Sequence, residues 1–151
     1  MSTTTVLLWA MAVISGALIP VQAASNAALA RVIGGNVPFA ALTLFIVAAV
    51  ATAAVVAVSG KGVPDVATLK AAPWWSFSGG FIVAFYVFTI TFLSPRLGVG
   101  TAIALVVAGQ ILAALTIDHF GLMRSLVFTL TPARVIGAAL MILGAFIALR
   151  R

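Results

Sequence analysis

Cysteine is absent from the 151-residue chain. That excludes disulfides, thiol nucleophiles and thiolate metal sites. Acids are nearly absent: Asp65 and Asp118 are the only two, and His119 is the only imidazole. Three such groups cannot assemble a zinc site without unusual ligands, so no metal and no other cofactor is expected. Charge of either sign is scarce, at 7% of residues, where a soluble domain carries about a quarter. A chain without a polar coat has lipid as its solvent. Eight Lys and Arg give a formal net charge of +6, and in a soluble protein that excess would suggest nucleic acid. Here the basic residues stand singly between apolar runs, as membrane-flank charges do, so no nucleic-acid partner is expected. The chain is too short to hold both a bundle of spans and a catalytic domain, so no enzyme and no catalytic residues are expected.

What is present is apolar: 64% of residues are hydrophobic. Five runs stand out, at about 6–30, 37–58, 74–93, 99–117 and 133–149. A membrane-spanning helix needs about 20 apolar residues, with a range of about 17–25. Unpaired backbone groups are too costly in hydrocarbon for anything but helix there. The expected fold is therefore an all-α integral membrane protein, one domain over residues 1–151 with five transmembrane helices. Break signals sit between the runs. Arg31 and Gly34-Gly35 close the first, Asn36 caps the second with Pro38 in its first turn, and Ser59-Gly60-Lys61 closes it. Pro73 opens the third, with Trp74 and Trp75 suited to the headgroup layer, and Ser94-Pro95-Arg96 closes it. Asp118-His119 ends the fourth, and Thr131-Pro132 opens the fifth.

The first run competes with a signal peptide, because Val21-Gln22-Ala23 resembles a cleavage site. No Lys or Arg precedes Arg31, however, and apolar character continues to Leu29, so the run is read as a span. Between Asp118 and Pro132, Leu122, Met123, Leu126, Val127 and Leu130 recur at helical spacing and suggest a short interfacial helix.

Five spans place the termini on opposite sides. One side then holds Lys61, Lys70, Arg124 and Arg134, and the other Arg31, Arg96, Arg150 and Arg151. Orientation normally follows an excess of Lys and Arg on the cytoplasmic side. The even count predicts a chain that inserts both ways. Two opposite insertions can pair about an axis in the membrane plane, giving an antiparallel ten-helix inverted-repeat homodimer, a common transporter plan.

Polar residues inside spans are site candidates. Ser15, Gln22 and Asn26 share one face of the first helix, beside Pro20, which removes a helical hydrogen bond and loosens the backbone. Gln110 is the long polar side chain of the fourth helix, and Tyr86 carries a hydroxyl within the Phe-rich third. Pro20, Gln22, Asn26, Tyr86 and Gln110 are therefore the candidate substrate-binding set. The alternative is that the amides only bond neighbouring helices, at about 0.6 kcal/mol each. Asp118, at a helix C-terminus whose dipole disfavours a carboxylate, is a possible coupling residue together with His119. It can equally be an exposed acid paired with Arg124 or Arg96. Gly137 and Gly144, with Ala133 and Ala148 on the same face, suit close helix packing in a dimer.

The combination of motifs resembles a family. Gly16-Ala17-Leu18-Ile19-Pro20-Val21-Gln22 with Asn26-Ala27-Ala28-Leu29, Pro73-Trp74-Trp75 with Gly79-Gly80, Pro95-Arg96-Leu97-Gly98, Leu105 to Gln110 and Asp118-His119-Phe120-Gly121 resemble the YdcZ-type inner-membrane exporters. That family is similar to the drug/metabolite transporter superfamily, and its members resemble half of a ten-helix transporter. The resemblance implies a multi-pass protein of the bacterial inner membrane, surrounded by lipid and partnered with itself. It would act on an unidentified small-molecule substrate by alternating access. The reading from another class is a non-transporting membrane protein that binds or scaffolds a lipid or a partner. A substrate-lined central cavity favours the first, and a closed, wholly apolar bundle the second.

Overall fold

The structure is a computed structural model and describes residues 2–149, apart from the side chain of Ala148. Arg150 and Arg151, which enter the charge count above, lie outside the described residues, as does the Ala148 side chain. Six α-helices follow in order: α1 (Thr3–Val32), α2 (Val37–Val58), α3 (Val66–Ala71), α4 (Gly79–Leu97), α5 (Val99–Phe120) and α6 (Pro132–Ala148). Single 3-10 turns occupy Trp74–Phe77 and Leu122–Arg124, and no strand occurs among the described residues. Thr3–Val32, Val37–Val58, Trp74–Leu97 and Val99–Phe120 are long and apolar enough to cross a membrane. At 17 residues, α6 is a shorter apolar helix, at the lower limit of about 17 for a span. Four spans by length and composition thus stand where five were expected, and a fifth crossing rests on α6.

The exposed surface is what lipid requires. Val13 is 72% exposed and Phe81 82%, and water would not tolerate such side chains on every outer face. The chain divides into two compact units, residues 1–95 and 96–151.

In the first unit α1 and α2 form an antiparallel hairpin. Its turn is closed by the Gly35 N–H bonding to Ala30 O at 2.8 Å, with Gly35 at φ +82°, a region that favours glycine. Asn36 caps α2 as expected, its Oδ1 accepting from Phe39 N–H at 3.1 Å. The buried face of α1 is Ala23, Asn26, Ala27 and Ala30, and α2 contributes Ala40 and Ala41. That i, i+3, i+4, i+7 spacing is one helix stripe. Made of alanine, it lets backbones approach closely, the usual basis of packing in lipid. The buried face of α4 repeats the spacing with Val87, Ile90, Thr91 and Ser94.

The second unit is another antiparallel pair. Gly100 near the start of α5 lies against Leu149 just past α6, where an added Cβ would come within 3.4 Å of the Leu149 side chain. Asp118 near the end of α5 meets Arg134 in the first turn of α6.

Several boundaries differ from expectation for identifiable reasons. Asp118 and His119 do not end the fourth span: α5 runs on to Phe120 and stops at Gly121, whose φ of +60° ends the helix. The third run does not begin as helix at Trp74, because a 3-10 turn comes first. The 59–73 connection holds α3, capped by Asp65, whose Oδ1 accepts from Thr68 N–H at 2.8 Å. The expected interfacial helix is absent: after one 3-10 turn at Leu122–Arg124 no helix forms before Pro132. Met123 and Arg124 take positive φ of 55° and 62°, and the following amides bond back to α5 rather than along a helix.

Candidate functional site

Pro20 lies inside α1, which continues through it. A proline cannot donate to the carbonyl four residues back and its ring crowds that carbonyl. Here that residue is Gly16, and apart from its chain neighbours and the helix's own backbone nothing would lie within 4 Å of a Cβ there. The backbone is thus loosened one turn before the polar stripe begins.

Gln22 and Asn26 follow on the stripe, and the structure brings them together. Both line a groove of about 440 Å³ between α1 and α2, with Ser25, Leu29, Thr43, Leu44, Val47, Ala48 and Ala51. Asn26 is 5% exposed and its Nδ2 donates to Thr91 Oγ1 on α4 at 2.6 Å. It therefore bonds a neighbouring helix, as the alternative reading held. Thr91 was not expected at the site, although two threonines, Thr89 and Thr91, within the Phe-rich third run were the available signal. Ser94, buried beside it, donates to Ile90 O at 2.6 Å within its own helix, a bond that satisfies the hydroxyl without a partner from outside. Ser15, on the same predicted face as Gln22, is exposed and is not in the groove.

Two polar atoms are buried without a hydrogen-bond partner among the described residues: Gln22 Nε2 and Tyr86 Oη. A buried donor left unpaired costs about 1–3 kcal/mol. Such groups are few in folded proteins and mark places where something else supplies the bond. Tyr86 belongs to α4, whose Phe85, Phe88, Thr89, Phe92 and Leu93 line a second groove of about 420 Å³ with Val37 and Pro38 of α2.

Gln110 is exposed on α5 of the second unit. On the same helix Asp118 is salt-bridged to Arg134 at 2.6 Å; Arg124 or Arg96 had been the expected partners. Arg134 also donates to Phe128 O at 2.7 Å and lies over the Phe128 ring at 5.9 Å. Asp118 O accepts from Phe128 N–H at 2.9 Å, and His119 Nδ1 accepts from Leu130 N–H at 3.2 Å. Asp118 and His119 thus clasp the 121–131 segment onto the end of α5. Gly137 is half-buried and Gly144 exposed on α6. No atom would lie within 4 Å of a Cβ at either, so within the chain that face is open to a neighbour.

The family model described as "Putative inner membrane exporter, YdcZ" matches residues 7–147. The chain belongs to this family. It is a multi-pass inner-membrane protein, as its helices and the family match agree. The family's description is that of an exporter, which favours a transporter over an enzyme. No curated protein and no solved structure matches the chain. Among the described residues no group of three or more His, Cys, Asp or Glu could hold a metal ion.

Proposed function

We propose that this chain exports a small molecule across the inner membrane by alternating access, working as an antiparallel, dual-topology homodimer. The observation that carries the reading is the groove of the first unit to which α1 brings the amide-bearing Gln22 and Asn26. Gln22, Asn26 and Tyr86 then contact substrate from the first unit, and Pro20 supplies backbone freedom. The even count of basic residues supports insertion both ways. The open glycine face of α6 at Gly137 and Gly144 suits packing against the second copy. Paired with Arg134, Asp118 is a weaker candidate for ion coupling than an unpaired acid would be.

The natural absence of cysteine makes the test direct. Gln22→Cys is the only thiol in that variant, and a membrane-impermeant thiol reagent is applied from one face of the membrane at a time. Alternating access lets the reagent on either face reach more than half of the copies. Dual topology with a static opening limits each face to half. No reaction from either face, in protein that remains folded, means that no aqueous route reaches the groove and sinks the exporter reading. Reporter fusions at the C-terminus test topology separately. Activity on both sides of the membrane is expected, and a single location would remove the antiparallel dimer.

A further inference from the structure

We infer that the open pocket where α5 ends and α6 begins is a headgroup site for a zwitterionic phospholipid, one that joins a phosphate to a primary ammonium, as phosphatidylethanolamine does. The pocket lies in the second unit and does not depend on the exporter reading. Its volume is about 570 Å³, and its lining is Asp118, Val127, Phe128, Thr129, Thr131 and Arg134. The two opposite charges are within reach of an occupant, the Arg134 and Asp118 side chains being 34% and 33% exposed. Each also keeps bonding capacity. Asp118 Oδ2 accepts from Arg134 at 2.6 Å, while Oδ1 has no partner among the described residues. Arg134 donates to Asp118 Oδ2 and to Phe128 O, and a guanidinium has further N–H groups beside those. The Thr131 hydroxyl oxygen accepts from Arg134 N–H at 3.3 Å and still has its own proton to give. Thr129 is exposed, and its hydroxyl makes no bond among the described residues.

Charge selects the class of headgroup. Arg134 and Asp118 sum to zero, and no other ionisable side chain lines the pocket. An anionic headgroup sets its phosphate on Arg134 but brings no cation to Asp118, so its charge meets a like charge. A choline headgroup brings a cation without an N–H, and Asp118 Oδ1 accepts nothing from it. A phosphate tied to a primary ammonium answers both sides. The planar N–H fork of Arg134 suits phosphate oxygens, the threonine hydroxyls can donate to the same oxygens, and the ammonium donates to Asp118 Oδ1. Position selects a lipid over a soluble zwitterion. The pocket stands at the ends of two apolar helices, and Leu126, Val127 and Phe128 are 76%, 63% and 54% exposed. Exposed apolar side chains next to an ion pair match the boundary between acyl chains and headgroups.

The test places the whole protein in nanodiscs with equal mole fractions of phosphatidylethanolamine, phosphatidylcholine and phosphatidylglycerol, all with the same acyl chains. Native mass spectrometry reads which lipids stay bound on release. Phosphatidylethanolamine is expected to be retained about threefold over either competitor, the worth of one exposed ion pair. Asp118→Asn leaves the pocket net positive and is expected to move the preference to phosphatidylglycerol. Arg134→Gln is expected to abolish the preference. Both residues also hold the 121–131 segment, so Thr129→Val supplies a variant outside those bonds. It is expected to cut retention of phosphatidylethanolamine about twofold, the worth of a weak exposed hydrogen bond, at an unchanged unfolding midpoint. Equal retention of the three lipids would overturn the inference, as would a preference for either competitor in the parent chain. So would a preference that survives Asp118→Asn in folded protein, or that survives Thr129→Val should neither charge variant fold. Displacement of the lipid by soluble phosphoethanolamine would show a site for a free zwitterion and overturn it too.

Discussion

In the first unit α1 and α2 meet through Ala23, Ala27, Ala30, Ala40 and Ala41, and α1 reaches α4 through the bond from Asn26 to Thr91. In the second, α5 and α6 are tied at one end by the Asp118–Arg134 ion pair and by the loop amides that bond back to Asp118 and His119. The first set is buried and neutral, whereas the ion pair is about a third exposed on both partners. Lipid explains the division. Within hydrocarbon there is no hydrophobic force between helices, so close contact of small residues and internal hydrogen bonds must serve. At the helix ends water competes for every charge, and an ion pair there contributes little beyond order. Gln22, whose Nε2 has no hydrogen-bond partner among the described residues, belongs to the same unit as these neutral contacts.

The sharpest way to break this contrast is to enlarge the close contact. Ala23 and Ala40 are both 0% exposed, so Ala23→Leu or Ala40→Leu overpacks the hairpin. The expected loss is about 1–3 kcal/mol, read by unfolding in mixed micelles. A loss no greater than that of a lipid-facing control such as Ala53→Leu would show that the alanines do not set the approach.

The buried hydrogen bond comes next. Asn26→Leu and Thr91→Val should each destabilise the first unit, with a coupling between them of about 0.6 kcal/mol and at most about 1.7. A double-mutant cycle measures that coupling directly. Zero coupling would mean that the 2.6 Å contact carries no energy, and would return Asn26 to the list of free ligand contacts.

In the second unit the Asp118–Arg134 cycle should give about 0.2–1 kcal/mol. It should shrink further in 1 M salt, because a solvent-exposed ion pair is screened. Salt should leave the Asn26–Thr91 coupling unchanged. Equal salt sensitivity in the two cycles would erase the distinction between the units. Arg134→Ala should also speed hydrogen exchange at Phe128, whose carbonyl Arg134 holds.

The smallest effect is expected at α3, which belongs to neither arrangement. Hydrogen bonds from Thr68, its side chain first and its backbone N–H second, hold the Asp65 carboxyl below its ordinary value of 3.8. A depressed carboxyl contributes stability that is present above the unfolded value and lost as pH falls through the folded one. Exchange protection at Thr68 should therefore hold at neutral pH and fade only in acid below that value. Asp65→Ala should remove it at every pH.

Much of the fold was legible because hydrocarbon enforces long, uninterrupted apolar runs and punishes every other backbone state. The cap at Asn36 was legible too, since a short oxygen-bearing side chain before an apolar run has few other uses there. Helix ends were less legible. Asp118 and His119 look like a stop but continue α5, because a polar side chain near an interface does not interrupt the backbone; Gly121 does. Of the candidate site, Gln22 and Asn26 were found from spacing along one helix. Thr91 was missed, because a bond across 65 residues of sequence leaves no local pattern.

By itself the sequence determined that this is a helical protein of the membrane, where its long apolar runs lie, and which amides they carry. These are properties of single segments against lipid, readable from each segment alone. Only the tertiary structure decided which amide is taken and which is left. Asn26 and Gln22 stand one turn apart on α1, yet one meets a hydroxyl on α4 and the other meets none. It also decided that Arg134 rather than a nearer arginine holds Asp118, and that the 122–130 segment gives its amides to α5 instead of forming a helix of its own. The reason is common to these cases. A hydrogen bond goes to the partner that folding brings within about 3 Å, and in this chain those partners lie on other helices.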